Sequence, residues 1–409
     1  MTALDCRSKS VSEAGRAIIG HFNSLQAGAG FEARLDAYPP GLRVWLLEGG
    51  VRHSAVMTDG CWQLQIRRGA APAQGSIPGV HHLLSGADGS VWVCERDRSV
   101  ARIDGATRCV STIRHVANKA SHMALDARAG RLFVADPGAN EVLALRVADL
   151  SVEQRWPAPG MPQLPVVSAA GVVCVTGGAT GTLTIARPHA GGYQVQTLEV
   201  GAYPHDPLTA GEYVFVPCAG DAVVVKVRLS DGHIAGQCAV GHGPSHLAIH
   251  PDGTRIYSAN SWDGTLSCLT TDGEPVAHAE SGGWAHAIDI TPDGRWVYVA
   301  NFLDDTLAVF DAATLQRMAL LPTEAYPHGL DISPDGRYVV ATGFASGFIR
   351  IYDAVLHVEI ARVKVGMGSS HTAFMAGDAT QAFVTCSVDD HVACIDLRGA
   401  RLTGTISLH

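Results

Sequence analysis

From about residue 79 onward the chain alternates short apolar runs with short polar turns, almost without interruption. Runs such as VWVC, RLFVAD, VFVPC and RWVYVAN are rich in valine and aromatic residues, and the breaks between them hold Gly, Asp and Asn. That pattern predicts many brief strands joined by tight turns. Three stretches align closely: HPDGTRIYSANSWDGTLSCL from His250, TPDGRWVYVANFLDDTLAVF from Thr291 and SPDGRYVVATGFASGFIRIY from Ser333. Their Pro-Asp-Gly triplets begin at Pro251, Pro292 and Pro334, spacings of 41 and 42 residues. A fixed period in that range belongs to solenoids and propellers. Within one period the order is strand, Asp-Gly turn, strand, turn, strand, turn, strand, and four strands in such a length make one propeller blade.

Weaker copies tile the remainder, opening at residues 81, 122, 163, 205, 246, 286, 328 and 371, which lie 40 to 43 residues apart. The prediction is a mainly β chain, with an eight-bladed β-propeller over 79–409 and seven blades as the alternative. The last blade consumes the end of the chain, so no strand is left to close the ring by overlap. The segments PDGRWVYVAN and PDGRYVVATG resemble the YVTN family of propeller repeats. An eight-bladed ring carrying repeated histidines also resembles the d1-haem domain of cytochrome cd1 nitrite reductase and its haem-d1 biosynthesis relatives. That resemblance implies redox chemistry and a haem-like tetrapyrrole.

The first 72 residues follow another pattern and predict a small α+β domain. Ser10 with Glu13 has capping-box spacing, and Ala14, Ile18, Phe22 and Leu25 recur on one helical face. FEARLD and CWQLQIRR are strand-like, and an apolar stretch LRVWLLEGG lies between them. Leu4-Asp5-Cys6-Arg7, the FNSLQAG segment from Phe22 to Gly28, and Trp62 through Arg67 together resemble the TusA-like sulfur-carrier superfamily. Those carriers hold a persulfide on a Cys-Pro pair at the helix start. Here the region is Arg7-Ser8-Lys9-Ser10-Val11-Ser12, so the expectation is a regulatory module or one that docks a protein partner, rather than one that transfers sulfur.

Charge narrows the function. The net charge is −9 and the 30 Lys and Arg residues are scattered, which argues against a nucleic-acid or anionic-membrane surface. No apolar run approaches the length of a membrane-spanning helix, and the N-terminal residues lack the features of a signal peptide, so a cytoplasmic protein is expected. The ten cysteines fall mostly inside apolar strands, without a CxxC pair, which predicts reduced thiols and no disulfide framework.

Candidate chemistry lies in the histidines. Seven of the eight blades place one at the start of the first strand, the strand that lines a propeller's channel: His81 with His82, His122, His205, His246, His286, His328 and His371. Blade three has Gln163 there. His81, His286, His328 and His371 sit seven residues before the turn aspartate, whereas His246 sits six before it. Converging imidazoles suit copper or iron, and the few carboxylates nearby (Asp206, Asp289, Asp331) disfavour calcium or magnesium. Tyr203, Trp284 and Tyr326 each precede a ring histidine by two residues and offer faces for a planar cofactor. Serine-hydrolase, P-loop and dinucleotide motifs are absent. The leading expectation is a copper- or iron-dependent redox enzyme, with or without a haem-like group, acting on a small molecule. The rivals are a protein-interaction scaffold and a divalent-metal propeller lyase or lactonase.

Overall fold

A computed structural model describes residues 2–8, 18, 30–36, 52–58, 61–67, 79–96 and 98–408. The chain divides into two compact units, Met1–Ser76 and Ile77–His409.

In the first unit, strands β1 (Thr2–Asp5), β2 (Gly30–Leu35), β3 (Arg52–Thr58) and β4 (Cys61–Arg67) form one sheet in the order β1-β2-β4-β3. FEARLD and CWQLQIRR are therefore strands, and alternation buries Phe31, Ala33 and Leu35 with Leu64 and Ile66. The β1–β2 pair is parallel, which demands a crossover between them. Ile18, in that connection, is helical and buried. Ser10, Glu13, Ala14, Phe22, Leu25 and the LRVWLLEGG stretch lie outside the described residues. Cys6 is buried just beyond β1, and its N–H donates to Arg34 O at 2.9 Å.

The second unit holds eight four-stranded sheets, each built from four consecutive antiparallel strands. Their first strands are Val80–Ser85, Met123–Asp126, Val166–Val167, Leu208–Ala210, Pro244–Ile249, Ala285–Ile290, Pro327–Ile332 and Ser369–Met375. Each first strand packs against the first strands of both neighbouring sheets, and the last meets the first, so the eight sheets close into a propeller. Second and third strands are almost wholly buried, as in VYVAN and LAVF, while fourth strands alternate exposed and half-buried positions at the rim.

Apolar side chains from adjacent blades share each core. Tyr298, Leu307 and Val309 of blade six pack with Val339 and Tyr352 of blade seven, for example. Polar stitches repeat the same step. Tyr257 OH donates to Ala312 O at 2.7 Å, and Tyr298 OH donates to Ala354 O at 3.0 Å. Ring closure uses this side-by-side packing rather than an overlapping strand. Between blades one and eight, Ser85 Oγ donates to Phe374 O (2.6 Å), Arg108 Nη1 to Thr403 O (3.1 Å) and Val80 N to Asp390 Oδ1 (3.2 Å). Val80 and Leu83 share their core with Phe383 and Val392.

Candidate functional site

Every ring histidine sits where its first strand leaves regular pairing. The residue paired with the end of the second strand is followed by one extra residue before pairing resumes. In blade one Val80 pairs with Glu95 and His82 with Cys94; in blade five Pro244 pairs with Asn260 and His246 with Ala259. Blades six, seven and eight shift between Ala285 and Ile288, Pro327 and Leu330, and Ser369 and Thr372. A bulge bends the strand and re-aims its side chains, so two consecutive positions can face the channel. His81, His205, His286 and His328 occupy the first of the two. His82, His122, Asp206, His246 and His371 occupy the second.

His371 therefore does not share the register of His286 and His328, although all three precede the turn aspartate by seven. Blade eight carries a further shift between Phe374 and Met375, which supplies the additional residue. Where the histidine takes the second position in blades two, five and eight, the first is serine: Ser121, Ser245 and Ser370. Each hydroxyl lies beside the next ring, at 2.8 Å from His122 Nδ1 and 3.2 Å from Nδ1 of His246 and of His371.

The imidazoles form a contiguous arc. Ring centres are 5.2 Å apart for His205–His246, 4.6 Å for His246–His286, 4.8 Å for His286–His328 and 5.5 Å for His328–His371. His371 continues to His81 at 5.2 Å and His82 at 5.1 Å, and both lie beside His122, at 4.8 and 5.0 Å. All eight predicted histidines thus meet their neighbours, edge-on in most pairs and tilted for His82–His122 and His205–His246. Blade three, with Gln163, is the break.

Backbone carbonyls of the following blade set several tautomers. His205 Nδ1 donates to Ser245 O (3.1 Å), His328 Nδ1 to Ser370 O (3.4 Å) and His371 Nδ1 to His81 O (2.9 Å). A carbonyl only accepts, so each of these rings carries its proton on Nδ1 and its lone pair on Nε2. His81 is the opposite case: Arg96 Nη2 donates to its Nδ1 at 3.2 Å. Burial holds His286 well below the usual imidazole range, with His246, His328 and His205 adding to it. Burial does the same for His371, His82 and His81, so these rings stay neutral and competent as metal ligands.

Asp206 stands between two rings. Its Oδ2 lies 3.2 Å from His246 Nε2 and its Oδ1 lies 3.5 Å from His205 Nδ1. Burial alone would raise its pKa, but the His205 and His246 imidazoles outweigh it and keep the carboxyl ionised. Ligand atoms of His205, Asp206 and His246 all lie within 4.8 Å of one another, the one such group among the described residues. Two further carboxylates, Asp289 and Asp331, sit farther along the first strands of blades six and seven. Asp289 accepts N–H bonds from Ile290 (2.8 Å) and from Ile332 of the next blade (2.9 Å), and Asp331 accepts from Thr372 of the next blade. Burial raises Asp289 to about 6 and lifts Asp331 well above the usual range.

The three aromatics serve the turn. Tyr203, Trp284 and Tyr326 have φ of 56°, 57° and 57°, and Gly243 and Gly368, at the matching places, have 71° and 77°. Their carbonyls accept N–H bonds from Ala219, Phe302 and Phe344 respectively, at the ends of second strands. Tyr326 lies face-on against buried Phe302, with ring centres 5.0 Å apart. Sequence reasoning missed the serines and gave Asp206 no ligand role. The Ser-His dipeptide recurring at 121, 245 and 370 was the available signal.

A family model described as "Lactonase, 7-bladed beta-propeller" matches residues 201–357, which take in blades four to six and most of blade seven. The ring here has eight. Among curated proteins none matches the chain in sequence. Among solved structures, hydrazine synthase of Kuenenia stuttgartiensis is similar at 15% identity and a TM-score of 0.58, over 80% of this chain and 98% of that one. A structure of the dihydro-haem d1 dehydrogenase NirN in complex with DHE is similar at 17% identity and a TM-score of 0.61, over 69% of this chain and 66% of that one. At such identities the likeness is one of fold, and both likenesses place the chain among β-propellers.

Proposed function

We propose that the channel mouth binds a first-row transition-metal ion, iron or copper, at His205, Asp206 and His246, and that the protein uses it for redox chemistry on a small molecule. The carrying observation is the convergence of two imidazoles and one ionised carboxylate within 4.8 Å. Two histidines with one carboxylate form a donor set suited to non-haem iron and, with more imidazoles close by, to copper. Ser245 supports both rings, through its carbonyl at His205 and its hydroxyl at His246. Such outer partners fix ring orientation and raise ligand basicity. When bound, the ion would supply a redox couple and a Lewis acid.

The remaining residues prepare the mouth. Neutral His286 next to His246 is a base rather than an acid at neutral pH, and Asp289, with a pKa near 6, can exchange a proton with solvent in the same range. A flat macrocycle fits less well. The imidazole centres stand only 4.6–5.5 Å apart, in contact, so a tetrapyrrole would have to lie above the ring or part it. The ten cysteines are all free thiols, which supports a reducing, cytoplasmic setting, with the first unit docking a protein partner.

Metal analysis and visible spectra of untagged protein, with His246→Ala alongside, test the reading. Iron or copper near one equivalent, lost in the variant, is the expected result. Protein without transition metal would overturn it in favour of an interaction scaffold. The lactonase-type match spans His205, Asp206 and His246, so a redox-inactive divalent ion accompanied by lactone hydrolysis would favour the hydrolytic alternative.

A further inference from the structure

We infer that the channel holds a second metal site, made by His82, His122 and His371, which takes a divalent cation favouring neutral nitrogen donors, such as zinc or copper. This site shares no ligand with the His205–Asp206–His246 group, and the experiment below tells the two apart. Blades one, two and eight supply its three rings. Their centres form a nearly equilateral triangle: 5.0 Å for His82–His122, 5.1 Å for His82–His371 and 5.4 Å for His122–His371. Three imidazoles bound tetrahedrally at about 2.0–2.1 Å from a metal place their ring centres about 5.2 Å apart. The interplanar angles of 57°, 71° and 78° are those of rings radiating from a common point rather than stacking.

The donor atoms are assignable. His371 gives its Nδ1 proton to His81 O, which leaves the lone pair on Nε2. Ser121 Oγ lies 2.8 Å from His122 Nδ1, which directs the other nitrogen to the ion. His82 Nδ1 is buried and has no hydrogen-bond partner, an arrangement that costs free energy unless a ligand satisfies it. The nitrogens of these three rings do not all lie within the 4.8 Å that His205, Asp206 and His246 meet. Rotation about χ2, a broad torsion in histidine, turns them inward with the ring centres nearly fixed, while loosening the Nδ1 bonds of His371 and His122. His81 does not belong to the set, because Arg96 occupies its Nδ1. Asp206 provides counter-charge, since its carboxylate acts electrostatically on both His82 and His122.

Chelator-stripped full-length protein, titrated with Co²⁺ and followed by its visible absorption, should bind two equivalents. His122→Gln and His371→Gln should each bind one, and His246→Gln should also bind one. His81→Gln should bind two. Circular dichroism shows whether each variant is folded; should either His371→Gln or His122→Gln fail, the other carries the test. Wild-type stoichiometry retained in folded His122→Gln would overturn the second site, as would a single bound ion that His246→Gln removes. A single ion that survives His246→Gln and disappears in His122→Gln would sustain the second site while sinking the first.

Discussion

Asp289 and His286 lie three residues apart on one strand and pull stability in opposite directions with pH. Asp289 is held near 6 by burial, against an ordinary value of 3.8, so the native state binds its proton more tightly than the unfolded chain does. Stability from this group is complete below about pH 4 and is lost as pH rises through 6, a change of about 3 kcal/mol. His286 is shifted downward, so its contribution is present above pH 6.5 and is lost as pH falls through its native value. His81, His82 and His371 share that sign. Urea unfolding of wild type and Asp289→Asn at pH 4.5, 6 and 7.5 separates the two effects. The variant should show a shallower decline between pH 4.5 and 6, since raised Asp331 still contributes one of the same sign, and keep the acid sensitivity that the imidazoles impose. Equal pH slopes in the two proteins would show that Asp289 is not among the buried titrating carboxyls.

At the scale of the strand, the bulge decides which residue types each position admits. The second position holds His82, His122, Asp206, His246 and His371 in five blades, but Ala287 and Gly329 in blades six and seven, where the first position carries the ring. Gly329 is needed for space, not for torsion: a Cβ there would sit 2.1 Å from Ser370 O. That carbonyl is the acceptor for His328 Nδ1, so the close approach of the backbones and the orientation of the ring are one feature. Gly329→Ala should destabilise the protein by about 1–3 kcal/mol through overpacking. It should also weaken ordering of His328, which a chemical-shift change at that imidazole would report. Turn aspartates hold the segment ahead of each bulge in the same spirit. Gly283 N donates to Asp304 Oδ2 and His242 N to Asp263 Oδ2, both at 2.6 Å, and Tyr326 N to Asp305 Oδ1 at 2.9 Å. Asp304→Ala should therefore loosen the loop before His286, with a loss of about 1 kcal/mol read by thermal melts.

Over the whole molecule, the architecture was legible because the period is covalent: four strands and an Asp-Gly turn recur along the chain, and each copy predicts its neighbour. The eight histidines were legible for the same reason, since they open the repeats. Their division into two registers was not, because a one-residue bulge leaves no trace in spacing when blade eight adds a second shift that restores it. Nor was the pairing of Asp206 with His246, which lie 40 residues apart and meet only when adjacent blades pack. Strands Thr2–Asp5 and Arg52–Thr58 of the first unit went unrecognised, the first being only four residues long and the second, RHSAVMT, lacking a strong alternation of apolar and polar residues. What the ring adds at this scale is coupling between ligand and fold. A metal held by blades four and five, and another by blades eight, one and two, would tie together sheets that otherwise join only by side-by-side packing. An ion that binds the folded state alone stabilises it by mass action, about 2.7 kcal/mol at a free concentration one hundred times the dissociation constant. For a propeller of this length that corresponds to a rise in Tm of about 4 °C. Iron, copper or zinc added to stripped protein should produce such a shift, and it should shrink in His246→Ala and again in His122→Gln. Because burial already keeps His82 and His371 neutral, the part of the shift that His122→Gln removes should change little between pH 6 and pH 8. A melting temperature indifferent to added metal at both pH values would leave the imidazole arc as packing between blades and nothing more.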